Sequence, residues 1–457
     1  MSKKIFLKIG GTVFFCAALG ALLSYISMPK EITFPKGSDA VIKVLPSCSL
    51  SSECVSKDSG VRLFRINGGK LSVNTDNVGK YSYQLKLFDK IPIKTITVSV
   101  VPNNYVIPGG EAIGVKMFTE GLLVVHISEV SGADGIEYSP AKEAGIMEND
   151  RIMKADGIDM KFNEDFMEYI NKKKSSVTLE IARNDELITT SITPVVSKAD
   201  GKYKVGIWVR DSTAGVGTLT YYNPNNSDFA ALGHAICDSD TMSVLTLSRG
   251  SITKCSIVSV KKGEKGAPGE LKGCITGESI GSIAVNDGFG IYGTLDNSEI
   301  TGGKQPIETA TRFQIKEGPC TILCSVDSRG AREYTAEICK VSKLPEPDNK
   351  SMILRVTDEE LLNKTGGIVQ GMSGSPILQN GRLIGAVTHV FVNDPTKGYA
   401  VFIENMLNDN IASDVQGGIT PPCTKMHGCL MLAGQLKPEP PCGLNVFYYQ
   451  DALLRLF

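Results

Sequence analysis

Over residues 30–105 apolar and polar residues alternate in short runs separated by Gly and Asn, and the block 198–407 is again rich in short strand-like runs. Side chains of a strand alternate between two faces, so this period commits most of the chain to β-strands and leaves little room for long helices. Val41-Ile42-Lys43-Val44-Leu45 shows the pattern, as does the run 93–101. Glycine supplies 47 of the 457 residues, scattered without a repeat, which suits many tight turns between short strands. The expected class is mainly β.

A chain of this length is expected to hold two or three domains and needs no disulfide framework. Lys plus Arg number 48 against 49 for Asp plus Glu, a formal net charge of −1, and without a basic excess a nucleic-acid partner is disfavoured. The 12 cysteines include no paired C-x-x-C, so no zinc ribbon is expected. Cys423, His427, Cys429 and Cys442 are too irregularly spaced to assign a metal site.

Lys3, Lys4 and Lys8 precede the uncharged run 9–28, long enough as a helix to cross the hydrocarbon core. The lysines orient the N-terminus to the cytoplasm and send the remainder across the membrane. No small-x-small cleavage site follows the run. Phe14 and Phe15 before Cys16 do not make a lipoprotein pattern. An uncleaved anchor is therefore expected over 1–29, with a cleaved signal peptide as the alternative and an exported body in either case.

Residues 30–105 read as a small β domain without evident chemistry. In 106–197 the spacing changes. Ser139-Pro140 starts a short helix that Gly145 ends, Asp156-Gly157 closes a hairpin, and an amphipathic helix follows over about 164–172. The string P-A-x-x-A-G-I-x-x-x-D-x-I-x-x-x-x-G over 140–157 resembles bacterial PDZ domains. That resemblance implies a groove that takes an extended peptide as an added strand, with the matching loop at Ile113-Gly114-Val115. Residues 198–407 are again rich in strands and suggest a sandwich or a pair of barrels, with 261–273 as an exposed loop. The Pro- and Cys-bearing stretch 408–457 has a different character.

The sharpest chemical signal is Gly371-Met372-Ser373-Gly374-Ser375-Pro376. A nucleophilic serine needs a tight turn that aims backbone N–H groups at a developing oxyanion. The pattern G-x-S-G-x-P resembles the nucleophile turn of chymotrypsin-like peptidases and selects Ser373. The N–H groups of Gly371 and Ser373 then form the oxyanion hole. A base is also needed, and the chain has 4 histidines. His126 falls mid-strand in the PDZ-like block and His427 in the tail. His234 precedes Ser373 by 139 residues, in the order that a two-barrel peptidase requires. His389 lies on the strand leaving the serine turn, where it lines a pocket or packs in the core. For the acid, barrel topology favours Asp287 or Asp296, and Asp358 lies 15 residues before Ser373.

The anchor, the PDZ-like block, Leu232-Gly233-His234, the string from Lys364 to Ile377 and the run from Ile384 to Pro395 together resemble the stage IV sporulation protein B family of signalling serine peptidases. The resemblance covers residues 1–407 and implies a chymotrypsin-like double β-barrel with the triad His234, Asp358 and Ser373, and no cofactor. It also implies self-cleavage, PDZ-controlled activity, and secretion across the forespore membrane into the intermembrane space. The implied substrate is a membrane-bound regulator of an intramembrane protease, whose release activates the late mother-cell sigma factor. The 408–457 tail departs from the family. Two other classes use the same features: a non-catalytic PDZ scaffold that tethers membrane proteins, and a serine ester hydrolase. The hydrolase elbow leads into a helix, whereas a strand-like run follows Ser373.

Overall fold

The computed structural model describes residues 30–407, apart from 39, 44–49, 55–63, 68–69, 74, 88–90, 185, 297–298 and 344–349. The anchor expected at 1–29 and the tail 408–457 with His427 lie outside the described residues. No helix among the described residues is long and apolar enough to cross a membrane.

The first described region is all strand. Glu31–Pro35, Ile91–Val101, Gly79–Leu87 and Leu50–Cys54 form one sheet in that order, and Ala40–Lys43, Lys70–Val73 and Phe64–Asn67 form a second. Ile32, Phe34, Tyr83, Ile96, Val98 and Val100 alternate inward and are buried, as the period of two requires.

Six strands close the first barrel: β1 (Ala112–Ile127), β2 (Ile207–Tyr222), β3 (Asp228–Ala231), β4 (Leu247–Lys261), β5 (Glu270–Asp287) and β6 (Gly290–Leu295). The pairing runs β1-β4-β5-β6-β3-β2, and a β1–β2 ladder closes the ring and removes its edges. Ile113, Val115, Met117, Leu219, Phe229, Ile252, Ile283 and Ile291 fill the interior.

The PDZ-like module is inserted between β1 and β2, and both strands run on into it. β1 bends at Gly121 (φ 72°), where a Cβ would stand 2.8 Å from Ile152 O. Beyond the bend, residues 122–123 pair with Arg151–Ala155 on one side, and 123–127 pair with residues 207–210 of β2 on the other. The module adds α1 (Pro140–Glu143), α2 (Asn163–Lys173) and the hairpin Val177–Arg183 with Glu186–Ile192. Asp156 (φ 47°) and Gly157 (φ 80°) make the turn expected of that dipeptide. Its core joins Leu122, Val124, Ile152, Phe166, Ile170 and Leu179 to Val205, Ile207 and Val209.

This insertion corrects the peptide-loop expectation. Ile113, Gly114 and Val115 lie inside the first barrel, paired with Gly217, Val216 and Gly215 on one edge and with Lys254, Thr253 and Ile252 on the other. A strand bonded on both edges accepts no third, so these residues are barrel wall and not a peptide groove.

The second barrel follows in β7 (Gly318–Ser325), β8 (Ala331–Val341), β9 (Met352–Val356), β10 (Pro376–Gln379), β11 (Arg382–Val390) and β12 (Lys397–Phe402). It closes in the order β7-β8-β9-β12-β11-β10 around Ile322, Cys324, Ala336, Leu354, Ile377, Val387 and Phe402. Helix α3 (Glu359–Thr365) connects β9 to the serine turn, and α4 (Ile403–Met406) packs on β11 and β12. The stretch 261–273 is not a free loop. As the tip of the β4–β5 hairpin it reaches the second barrel, where Gly263 N donates to Thr365 O, Gly266 N to Val392 O and Leu271 N to Gln370 O. Those bonds satisfy backbone groups on the approach to the serine turn.

Candidate active site

The serine turn is held from the first barrel. Thr218 N donates to Ser373 O (3.0 Å), Thr218 Oγ1 to Gly371 O (2.8 Å) and Thr220 Oγ1 to Gly374 O (2.8 Å). At Gly374 (φ 94°) a Cβ would lie 2.2 Å from Thr218 O and 2.4 Å from Leu232 N, so only glycine lets the two barrels meet there. Leu232 and Gly233 leave β3 with φ of 73° and 72°, and a Cβ on Gly233 would reach Thr388 Cγ2 at 3.0 Å. Two sharp bends thus bring the His234 loop of one barrel against the Ser373 turn and β11 of the other.

Ser373 is half-buried and its Oγ donates to Thr388 O at 2.8 Å. Ser375 is fully buried and its hydroxyl is spent on Met372 O at 2.6 Å, which removes it as a nucleophile. Within the turn the N–H groups of Met372, Gly374 and Ser375 are bonded to Val369, Val387 and Met372 carbonyls. Among the described residues the N–H groups of Gly371 and Ser373 have no hydrogen-bond partner, the condition for an oxyanion hole.

His234 Nδ1 lies 2.8 Å from Ala235 O. A carbonyl only accepts, so Nδ1 carries the proton and Nε2 keeps its lone pair, the form a general base needs. Burial lowers the pKa of this ring from 6.5, with the Ala235 bond opposing, so it stays neutral. His389 stacks against it with ring centroids 4.8 Å apart and planes tilted by 34°. Burial first, then His234 and Lys350, push His389 down to about 3. Its buried Nδ1 has no hydrogen-bond partner. His126 is surface-exposed beside Glu148 at 3.1 Å.

The structure does not bring the proposed acids to His234. Asp358 is the N-cap of α3: Oδ1 accepts from Leu361 N (3.0 Å) and Oδ2 from Thr335 N (3.3 Å). The segment Thr357-Asp358-Glu359-Glu360-Leu361 carries that signal, an Asp before acidic first-turn residues and an apolar run. Asp296 is exposed, beyond the end of the β3–β6 ladder opposite to His234. Asp287 is nearer, since its turn abuts Gly233, but its Oδ1 accepts from Phe289 N (2.8 Å) and burial raises its pKa. The orienting partner of the imidazole is the Ala235 carbonyl. Periodicity and spacing carry no trace of that backbone contact.

Residues 201–407 match the family described as SpoIVB peptidase S55, and residues 112–193 match the PDZ domain. Over 76 residues the chain is 36% identical to a putative zinc metalloprotease of Clostridium perfringens, covering 16% of this chain and 22% of that protein. The chain thus spans about a fifth of the length of the curated relative it matches. Among solved structures, the PDZ domain of the SdrC-like protein of Listeria monocytogenes is 24% identical over 20% of this chain and 87% of that one, with a TM-score of 0.16. The active form of the Rv3671c protease of M. tuberculosis is 13% identical over 46% and 78%, with a TM-score of 0.26. The two matches show a serine peptidase that carries a PDZ domain and is similar, over residues 201–407, to SpoIVB peptidase S55.

Proposed function

We propose that this chain is a membrane-anchored, exported endopeptidase of sporulation signalling. It cleaves itself and a membrane-bound regulator of an intramembrane protease, and so leads to activation of the late mother-cell sigma factor. The family match supports the setting, and one observation supports the chemistry. The N–H groups of Gly371 and Ser373 are unbonded in the turn that carries the Ser373 hydroxyl, and that turn is set against the loop of His234, whose pKa burial lowers. Rotation of that hydroxyl away from Thr388 O lets it attack a peptide carbonyl, with His234 Nε2 taking its proton and returning it to the leaving amine. The oxyanion falls between Gly371 N and Ser373 N. Thr388 O, once vacated, becomes an acceptor for the backbone N–H of the bound peptide.

The test is labelling of the ectodomain by a fluorophosphonate probe. Wild type and a folded Ser375→Ala variant label, and Ser373→Ala neither labels nor self-cleaves. Labelling retained in Ser373→Ala would refute the assignment.

A further inference from the structure

In this site the group that orients the catalytic imidazole is a backbone carbonyl, so the loop that carries Ala235 sets the ring. Two anchors hold that loop. From β5, Asn286 Oδ1 accepts from Ile236 N (2.8 Å), and Asn286 Nδ2 donates to Ile236 O (3.0 Å) and Leu245 O (2.9 Å). The second anchor is ionic. Asp238 is completely buried; its Oδ1 takes the N–H groups of Asp240 (3.0 Å) and Thr241 (2.9 Å), and its Oδ2 faces Arg210 Nη1 at 2.9 Å. Arg210 is 5% exposed and also reaches Asp240 Oδ2 at 2.7 Å and Ser239 Oγ at 3.3 Å.

A buried ion pair is weak as a source of stability, because desolvation offsets the attraction and apolar residues of similar volume serve as well. The position of Arg210 suggests another use. On its N-terminal side Ile207 and Val209 lie in the PDZ core with Phe166 and Ile170. On its C-terminal side Asp211 Oδ2 accepts from Asn163 N at the start of α2 (3.0 Å). From Ser212 onward the same strand is barrel wall and ends on the serine turn through Thr218 and Thr220.

We propose that Arg210 is a positioning residue of the peptidase, through which the PDZ module sets the loop that orients His234. A shift of residues 207–211 against α2 moves the guanidinium, Asp238 follows because its charge has no other buried cation partner among the described residues, and the Ala235 carbonyl moves with the loop. The rate of acylation then depends on the packing of the PDZ module, although that module contributes nothing to the chemistry. This inference rests on the serine-peptidase reading.

The experiment measures fluorophosphonate acylation of the full ectodomain, separating the maximal rate from the probe's half-saturation, with chemical unfolding in parallel. Arg210→Met lowers the maximal rate on the order of 10²-fold, the scale of a small misplacement, with half-saturation unchanged. Arg210→Met combined with Asp238→Asn removes the unpaired buried charge while keeping the Oδ1 acceptor. It recovers stability but not rate. Recovery of rate together with stability would show a structural role alone and overturn the proposal. Val209→Ala, which loosens the PDZ side, slows acylation in wild type and leaves the Arg210→Met rate unchanged; additive effects would overturn the coupling. Should Arg210→Met not fold, Arg210→Lys keeps the charge without the fork, and an unaltered maximal rate there overturns the proposal. An unlabelled wild type would instead refute the peptidase reading itself.

Discussion

His389 sits half-buried against His234, and desolvation lowers its pKa from 6.5 to about 3. In the folded protein it stays neutral through a pH range in which the unfolded chain binds a proton. Below pH 6.5 the unfolded state therefore gains protons that the folded state does not, and stability falls on acidification until about pH 3. One such site contributes a slope of up to about 1.4 kcal/mol per pH unit, and His234 acts in the same direction. Urea unfolding at pH 7 and pH 5 checks this: wild type loses stability between the two, and His389→Phe, which keeps a ring against His234, loses less. Asp358 offers a second test at this scale. As the N-cap of α3 it is worth about 1 kcal/mol, so Asp358→Ala lowers stability by that amount, whereas Asp358→Asn caps as well and does not. Turnover of Asp358→Asn decides its chemical role. The contacts seen in the structure require a rate near wild type, and a triad acid requires a loss of up to ~10⁴.

At the scale of elements, the bends that bring strands together are more exacting than the strands. Gly374→Ala places a Cβ within 2.4 Å of two backbone atoms of the first barrel at a φ of 94°. It should cost at least about 2 kcal/mol and abolish probe labelling, measured by thermal unfolding and acylation. Gly114→Asp is informative for a different reason. Its Cβ would meet Thr253 Oγ1 at 2.6 Å and Ile275 Cγ1 at 2.7 Å, side chains of β4 and β5 that must shift to admit a charge. The expected outcome is loss of the cooperative melt of the first barrel, and a folded variant with normal melting would contradict the assignment of 113–115 to the barrel wall. The short β3 shows how an element's ends matter more than its length: Asp228–Ala231 is 4 residues, yet its exit through Leu232 and Gly233 delivers the base.

For the whole molecule, the PDZ module and the first barrel are not beads on a linker, because β1 and β2 belong to both. Val205, Ile207 and Val209 lie in the PDZ core although they fall beyond the 112–193 stretch that matches the PDZ family. Burying each contributes about 1.5–3 kcal/mol, so a fragment lacking all three forfeits roughly 5 kcal/mol or more, comparable to the whole stability of a small domain. A fragment of residues 120–197 should therefore be unfolded and one of 120–211 folded, as read by circular dichroism melts. Equal stability would mean that β2 merely passes by.

The features legible along the chain are those that local stereochemistry writes into a few adjacent residues. The period of two marks the strands, and Asp156-Gly157 marks a hairpin that forms as expected. Gly-x-Ser-Gly marks the turn that leaves Ser373 half-buried and buries Ser375 fully, and the family strings identify the peptidase. Tertiary structure decided which of these meet. Closing a barrel requires each strand to find two partners, and the partner of β1 along 112–118 is a strand some hundred residues onward, so Ile113-Gly114-Val115 became wall. The acid was illegible for the same reason. An Asp at a helix start satisfies backbone donors three residues away, a local gain available to Asp358 wherever His234 lies. The imidazole took its orientation from Ala235 O, in a loop held by the buried Arg210–Asp238 pair, a contact that exists only once the PDZ module and the barrel share a strand.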